Sequence, residues 1–279
     1  MLHAALALAT PVVALLLSGF QELSATTNST YPIAANGTLT VTTQSGDIKV
    51  QSWNGNTVKM TVNKHAQTQA VLDSLSVDVA ITDGNVKVKA EHPHTCTDCD
   101  TSFDIQVPRS VNVRAHTASG NLNVAEIAGT ADVGSESGNI TVTDVRGAID
   151  AGTESGEIRV EGPGASVHCK TSSGNITIKG ARGDLDAQAA SGNVSARVDE
   201  MTAIRAIDLR TTHGNVTLAM PRNAGATIAA STVAGSIDSD LGQTPSQGYA
   251  GATLAQTIGN GRLRIKLSTT AGNVELRAL

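Results

Sequence analysis

Ser119-Gly120-Asn121-Leu122-Asn123-Val124 is the first of five copies of one phrase. The others are Ser137-Gly138-Asn139-Ile140-Thr141-Val142, Ser155-Gly156-Glu157-Ile158-Arg159-Val160, Ser173-Gly174-Asn175-Ile176-Thr177-Ile178 and Ser191-Gly192-Asn193-Val194-Ser195-Ala196. Their glycines recur every 18 residues, which marks an architecture of stacked repeats. Looser copies flank the block at Gly46-Asp47-Ile48-Lys49-Val50, His213-Gly214-Asn215-Val216-Thr217-Leu218, Gly235-Ser236-Ile237 and Gly272-Asn273-Val274-Glu275-Leu276.

Within a repeat, apolar residues alternate with polar ones at the period of a strand. Leu122 and Val124 flank Asn123, and Ala131 and Val133 flank Asp132. Ile149/Ala151 around Asp150, Val167/Cys169 around His168 and Leu185/Ala187 around Asp186 repeat the second pattern. Each repeat therefore carries two short strands. Gly120-Asn121, Gly138-Asn139, Gly156, Gly174-Asn175 and Gly192-Asn193 form a turn ladder at one corner, where Gly and Asn tolerate positive φ. Gly129, Gly147 and Gly183 mark a second corner. Two short strands cannot bury an apolar face alone, but stacked copies can. The expectation is an all-β fold, a parallel β-solenoid resembling a single-stranded β-helix with 18-residue coils. Ile, Val and Leu columns lie inside, Ser and Asn columns lie at the corner with the Asn amides bonded to one another, and Thr lies outside. About eight coils at strand spacing would span roughly 35–40 Å.

The flanks read differently. Val58 to Val62, Leu75 to Ile81 and Val86 to Lys89 alternate, and Asp83-Gly84-Asn85 reads as a hairpin turn. This predicts an antiparallel N-terminal cap over the open end. Gln67 to Leu75 is the one weak helix candidate. Ser239 to Gly251 reads as a loop, and Arg262 to Leu267 with Asn273 to Leu276 as closing strands.

Composition sets limits. Of 279 residues 27 are Gly and only 2% are aromatic, so the core must be a thin one of small aliphatic side chains. A net charge of −5 without a basic run argues against nucleic acid. Residues 4–17 form an apolar run of signal-peptide length, too short to span a bilayer. Leu17-Ser18-Gly19-Phe20 resembles a bacterial lipoprotein signal, but Phe20 stands where the lipid-bearing Cys would be. The domains read as a signal peptide or short anchor over 1–20, a polar linker over 21–36, a β cap with the first repeat over 37–110, and the solenoid over 111–279.

The serial Ser-Gly-Asn-Ile-Thr-Val phrases, the Val107-Pro108-Arg109 and Met220-Pro221-Arg222 segments, and the Gly259-Asn260-Gly261-Arg262-Leu263 to Gly272-Asn273-Val274 unit together resemble the bacterial putative-adhesin family of Gly-rich β-strand repeats. That family is a domain of unknown function. The resemblance covers residues 36 to 279. It implies a parallel, right-handed β-solenoid, an envelope or surface location and no established catalysis, and it supplies no functional residues.

Some side chains invite chemistry. His92, His94, Cys96 and Cys99 could ligate zinc or copper, but a single CxxC is a weak zinc signal, and in an exported chain the favoured reading is a local Cys96–Cys99 disulfide, with free thiols as the remaining alternative. Cys169 shares the inward column with Val133, Ala151 and Ala187 and reads as a small buried hydrophobe. Asp132, Asp150 and Asp186 share an outward column with His168, either as a solvated face or as a cation or acid–base site. The five equivalent Ser residues are turn residues, since a nucleophile needs one activated Ser with its own base. Trp53 either caps the core or marks a contact.

The sequence thus points to an exported, non-catalytic binding, adhesion or structural module of the periplasm, outer membrane or cell exterior. Its partner would be a surface or envelope protein or glycan, with membrane contact only through the N-terminal segment and no cofactor. A polysaccharide lyase or hydrolase on a β-helix, and metal handling through residues 91–100, are the alternatives.

Overall fold

The structure is a computed structural model that describes residues 23–93, 96, 98–242, 244–248 and 251–279. Two long sheets face each other, one of 12 strands and one of 13. Each regular repeat contributes one strand to each. Asn112–Ser119, Ala131–Ser137, Ala148–Ser155, Ser166–Ser173 and Asp184–Ser191 lie side by side in the long-strand sheet. Leu122–Ala125, Ile140–Thr143, Ile158–Glu161, Ile176–Lys179 and Val194–Arg197 do so in the short-strand sheet. All these neighbours are parallel and in register. Ile140 stands between Leu122 and Ile158, and Ile158 pairs onward with Ile176. The inward columns of both sheets interdigitate to form one core, in which Leu122, Ile140, Ile158 and Ile176 are at most 1% exposed. A fully buried aliphatic side chain contributes about 1.5–3 kcal/mol, so repetition of one phrase builds stability coil by coil.

The corner between the sheets shows why Ser-Gly-Asn recurs. A chain turning there leaves four main-chain groups that no strand neighbour on the same coil can satisfy. Gly138 N–H donates to the Ser155 carbonyl at 2.9 Å, and the Asn139 carbonyl accepts from Leu122 N–H at 2.9 Å. The Gly138 carbonyl accepts from the Thr153 hydroxyl at 3.1 Å. Asn139 N–H donates to Oδ1 of Asn121 at 3.1 Å. The same pattern serves Gly120 through Ser135, Gly156 through Thr171, Gly192 through Thr211 and Gly214 through Thr269. The Asn column continues through Asn175, Asn193 and Asn215. One expectation is corrected here. The Asn carboxamides bond chiefly to the main-chain N–H of the next coil rather than to one another, because the sharp turn leaves that N–H without a carbonyl. The phrase's own Thr141 and Thr177 lie on the outward face, whereas a second set not singled out from the sequence, Thr117, Thr153, Thr171, Thr211 and Thr269, is buried, because the hydroxyl is needed against the corner carbonyl.

The glycine is required at this corner. Gly192 has φ +141, and a Cβ there would collide with the carbonyl of Gly174 one coil below. Gly174, Gly120 and Gly272 repeat the same geometry.

The ends depart from the simple stack. Leu23–Pro32 pairs antiparallel with Thr57–Ala66, which pairs antiparallel with Asp100–Pro108. Residues 23–32, expected as part of a polar linker, are therefore an edge strand. Leu23, Ala25, Thr27, Ser29 and Tyr31 form the half-buried face and Ser24, Thr26, Asn28, Thr30 and Pro32 the exposed one, an alternation that hydropathy barely registers. Ser76–Thr82 and Asn85–Glu91 form a hairpin closed by Asp83 and Gly84, both at positive φ, on the edge of the long-strand sheet. Gln69–Ser74 is a short helix capped by Thr68, whose hydroxyl accepts from Val71 N–H. It buries Leu72 against Ala66 and Leu75, with Cys99 packed on the same cluster.

At the other end the chain order and the spatial order differ. Leu263–Ala271 lies between Ala206–His213 and Ala226–Ala234, and Val274–Ala278 lies between Val216–Met220 and Ile237–Ser239. These segments are inserted as an inner coil, not laid on as closing strands. The edge of the long-strand sheet is instead the antiparallel pair Gly251–Thr257 and Ser246–Gly248.

Candidate functional site

Three of the four sheet edges are antiparallel strands, and the fourth is the short parallel strand Ile237–Ser239. The two outer faces and the loop-side edge are the broader surfaces for a partner. On the long-strand face four columns point outward, represented by positions 148, 150, 152 and 154 of one strand, and two of them bear on binding. One carries Arg114, Asp132, Asp150, His168, Asp186 and Asp208, in that order up the stack. The acids are partly neutralised. Asp132 lies 3.7 Å from Arg114 and 3.6 Å from His116, Asp186 lies 3.6 Å from Arg210 and 3.7 Å from His168, and Asp208 accepts from Arg210 at 2.9 Å. Among the described residues Asp150 has no ion-pair partner. These exposed pairs contribute little to stability but set a patterned surface charge.

The next outward column reads His116, Gly134, Gly152, Lys170. Two glycines in mid-strand interrupt the row of side chains and open a trough of about 580 Å³. Gly134 and Gly152 form its floor, Glu136 and Glu154 one rim, and His116 and Lys170 its ends. Gly152 has no structural need to be glycine. An added Cβ would meet nothing nearer than the Lys170 carbonyl at 4.0 Å, and its φ is not in the left-handed region. Glycine in a strand interior weakens the strand and is found where something approaches the backbone closely. Neither residue was singled out in the sequence, although a Gly in the middle of an alternating run was the available signal.

The short-strand face is plainer. Glu161 accepts from Lys179 and Arg159, and these cations hold its carboxyl below the usual carboxylate range. Trp53 neither caps the core nor stands free. Its indole N–H donates to the Thr57 carbonyl at 2.8 Å, its ring lies over Gly55, and Lys59 Nζ sits 3.7 Å from the ring centroid.

The residues with ligand chemistry gather elsewhere. Cys96 and Cys99 are placed with their sulfurs together and their Cα atoms 5.9 Å apart, a spacing that a disulfide can bridge. His92 Nε2 is within 3.1 Å of the Thr101 hydroxyl, and burial lowers the basicity of its ring. His94 lies outside the described residues. Among the described residues no three His, Cys, Asp or Glu side chains come together as a metal-ligand group. Cys169 is buried, and burial pushes its thiol far above the ordinary range. The Ser column presents exposed side chains on Ser119, Ser137, Ser155, Ser173 and Ser191.

The comparisons with other proteins bear on this architecture. The family model described as Toastrack DUF4097 matches residues 20–132 and 128–277. The chain belongs to the Toastrack DUF4097 family. Among solved structures, this Toastrack chain is similar to one from Bacteroides fragilis described as a putative adhesin. The two share 12% identity at a TM-score of 0.51, over 90% of this chain and 96% of the other. A structure from Clostridium sporogenes described as a putative cell adhesion protein shares 11% identity over 90% of this chain and 99% of the other, at a TM-score of 0.28. No curated protein matches the chain. The Bacteroides likeness supports the Toastrack fold. No helix among the described residues is long and apolar enough to cross a membrane.

Proposed function

We propose that this Toastrack protein is an exported, non-catalytic module of the cell envelope or surface that binds a protein or glycan partner or serves as structural scaffold. The observation that carries the reading is the trough floored by Gly134 and Gly152, where at Gly152 the strand forgoes a side chain that it has room for. A flat sheet with a shallow, glycine-floored recess suits contact with an extended partner better than it suits enclosure of a reacting small molecule. The adhesin description of the Bacteroides structure supports a surface role. The apolar run over 4–17 supports export, with residues 1–20 as leader or anchor. The solenoid is right-handed on the family resemblance, and the antiparallel strands at the N-terminal end act as its cap.

Two measurements test this. On intact bacteria expressing the full chain, an impermeant biotinylation reagent should label it, or osmotic shock should release it. The chain lacking residues 1–20 should stay in the cytosolic fraction. Equal fractionation of the two chains would overturn export. Fluorescently tagged purified protein should bind cells, and Gly152→Thr should reduce that binding with the fold intact. Unchanged binding would overturn the assignment of this face.

A further inference from the structure

Along the run of corners from Gly120 to Gly214 the 18-residue step is broken once: from Asn193 to Asn215 the spacing is 22. The added length falls in residues 198–205, on the edge opposite the Asn corner. There it walls a cavity of about 1160 Å³ together with residues 221–225 and the loop that enters the inserted coil. Its lining includes three arginines, Arg205, Arg262 and Arg264, and the half-buried apolar residues Met201 and Pro221, while Ile204 and Leu263 belong to the core beneath.

The charge arrangement there is one-sided. Asp199 and Glu200 also line the cavity, but Asp199 pairs with Arg197 at 2.9 Å and Glu200 with Arg182 at 3.5 Å. Both acids are thus engaged by arginines outside the cavity lining. Among the described residues no carboxylate lies within ion-pair distance of Arg205, Arg262 or Arg264, in a chain whose net charge is −5. Three arginines on one lining, none held by an acid of the protein, leave their N–H donors available to an oxyanion. The main chain that carries them is fixed. Arg264 N–H donates to the Arg205 carbonyl at 3.0 Å, and Asp184 Oδ1 accepts from Arg205 N–H at 2.7 Å and Ala206 N–H at 3.1 Å. Arg262 N–H donates to Asn260 Oδ1 at 3.3 Å. Arg262 and Arg264 flank buried Leu263, so both project outward from the same strand entry.

We propose that this cavity binds a ligand carrying a carboxylate or phosphate on a small apolar body. The anion sits among Arg205, Arg262 and Arg264, whose planar guanidinium groups suit bidentate bonding to either oxyanion. The apolar part lies on Met201 and Pro221. The site is separate from the glycine trough and stands without the display function.

The test uses the full chain and four probes, with binding read by calorimetry: hexyl phosphate, hexanoate, inorganic phosphate and 1-hexanol. Hexyl phosphate or hexanoate should bind about tenfold more tightly than inorganic phosphate, from apolar burial. The tighter of the two names the oxyanion, and either result supports the site. 1-Hexanol should not bind. The double variant Arg262→Gln/Arg264→Gln should weaken the tighter probe by at least about tenfold, with an unchanged thermal midpoint. Lys87→Gln, on the hairpin at the far end, should bind as the parent does. Equal binding by the double variant, or by 1-hexanol, would overturn the proposal. So would absence of binding by both hexyl phosphate and hexanoate.

Discussion

The Thr153 hydroxyl donates to the carbonyl of Gly138 at 3.1 Å, one coil below. The bond is buried and joins two coils through the one carbonyl that the turn leaves over. Thr153→Val keeps the shape and removes the donor. It should destabilise the protein by about 1–2 kcal/mol, the cost of an unsatisfied buried carbonyl. Urea unfolding monitored by circular dichroism measures this. A change below the error of the measurement would mean that the hydroxyl ladder is incidental.

One corner lacks both side-chain bonds. Position 189, which should serve the Gly174 carbonyl, is Ala. Position 157, which should serve Asn175 N–H, is Glu, whose Oε1 instead accepts from Asn175 Nδ2. The longer side chain overshoots the main chain. Ala189→Thr and Glu157→Asn, separately and together, should each stabilise by about 0.5–1.5 kcal/mol. A double variant no more stable than the parent would contradict this account of the corner.

Two glycines 40 residues apart in sequence number, Gly152 and Gly192, should respond oppositely to a side chain. Gly192→Ala meets the Gly174 carbonyl at φ +141 and should cost more than about 2 kcal/mol. Gly152→Thr enters open space on a strand and should be neutral or stabilising by up to about 1 kcal/mol. Thermal midpoints of the two variants decide it.

Burial lowers the pKa of His92 from its ordinary 6.5. A base depressed on folding binds fewer protons in the folded state than in the unfolded one. Stability should therefore fall as pH drops through about 6.5 and level off below the folded value. His92→Gln should flatten that part of the pH–stability curve. A parent and variant with parallel curves from pH 7.5 to 5 would show that His92 does not contribute.

Thiol counting separates the three cysteines. The native chain should take up no alkylating reagent, because Cys169 is buried and its thiol is held protonated. Denaturation should release one thiol, and reduction two more. Three reactive thiols in the unreduced, denatured chain would refute the Cys96–Cys99 bond.

The stacking was legible because it is written in the chain: Ile140, Ile158 and Ile176 share a phrase and stand in register. The buried Thr column was legible in part. Thr153 lies two residues beyond inward Ala151, so period two already placed it inside, but a hydroxyl suggested solvent. Leu23–Pro32 was obscured because an edge strand shielded on one side needs few strong hydrophobes. The cavity at Arg205 was not legible at all. Its arginines are distant in sequence, and they meet only because the inserted coil carries Arg262 and Arg264 beside residue 205.

That insertion governs the order of assembly. Ala206–His213 and Ala226–Ala234 have no direct pairing with each other; Leu263–Ala271 is the bridge that holds both. During synthesis the growing tip cannot simply add layer on layer. It must wait with a vacant berth until residues 263–278 arrive and seal it, so nascent chains halted before residue 263 should be the ones that proteases and quality-control machinery remove.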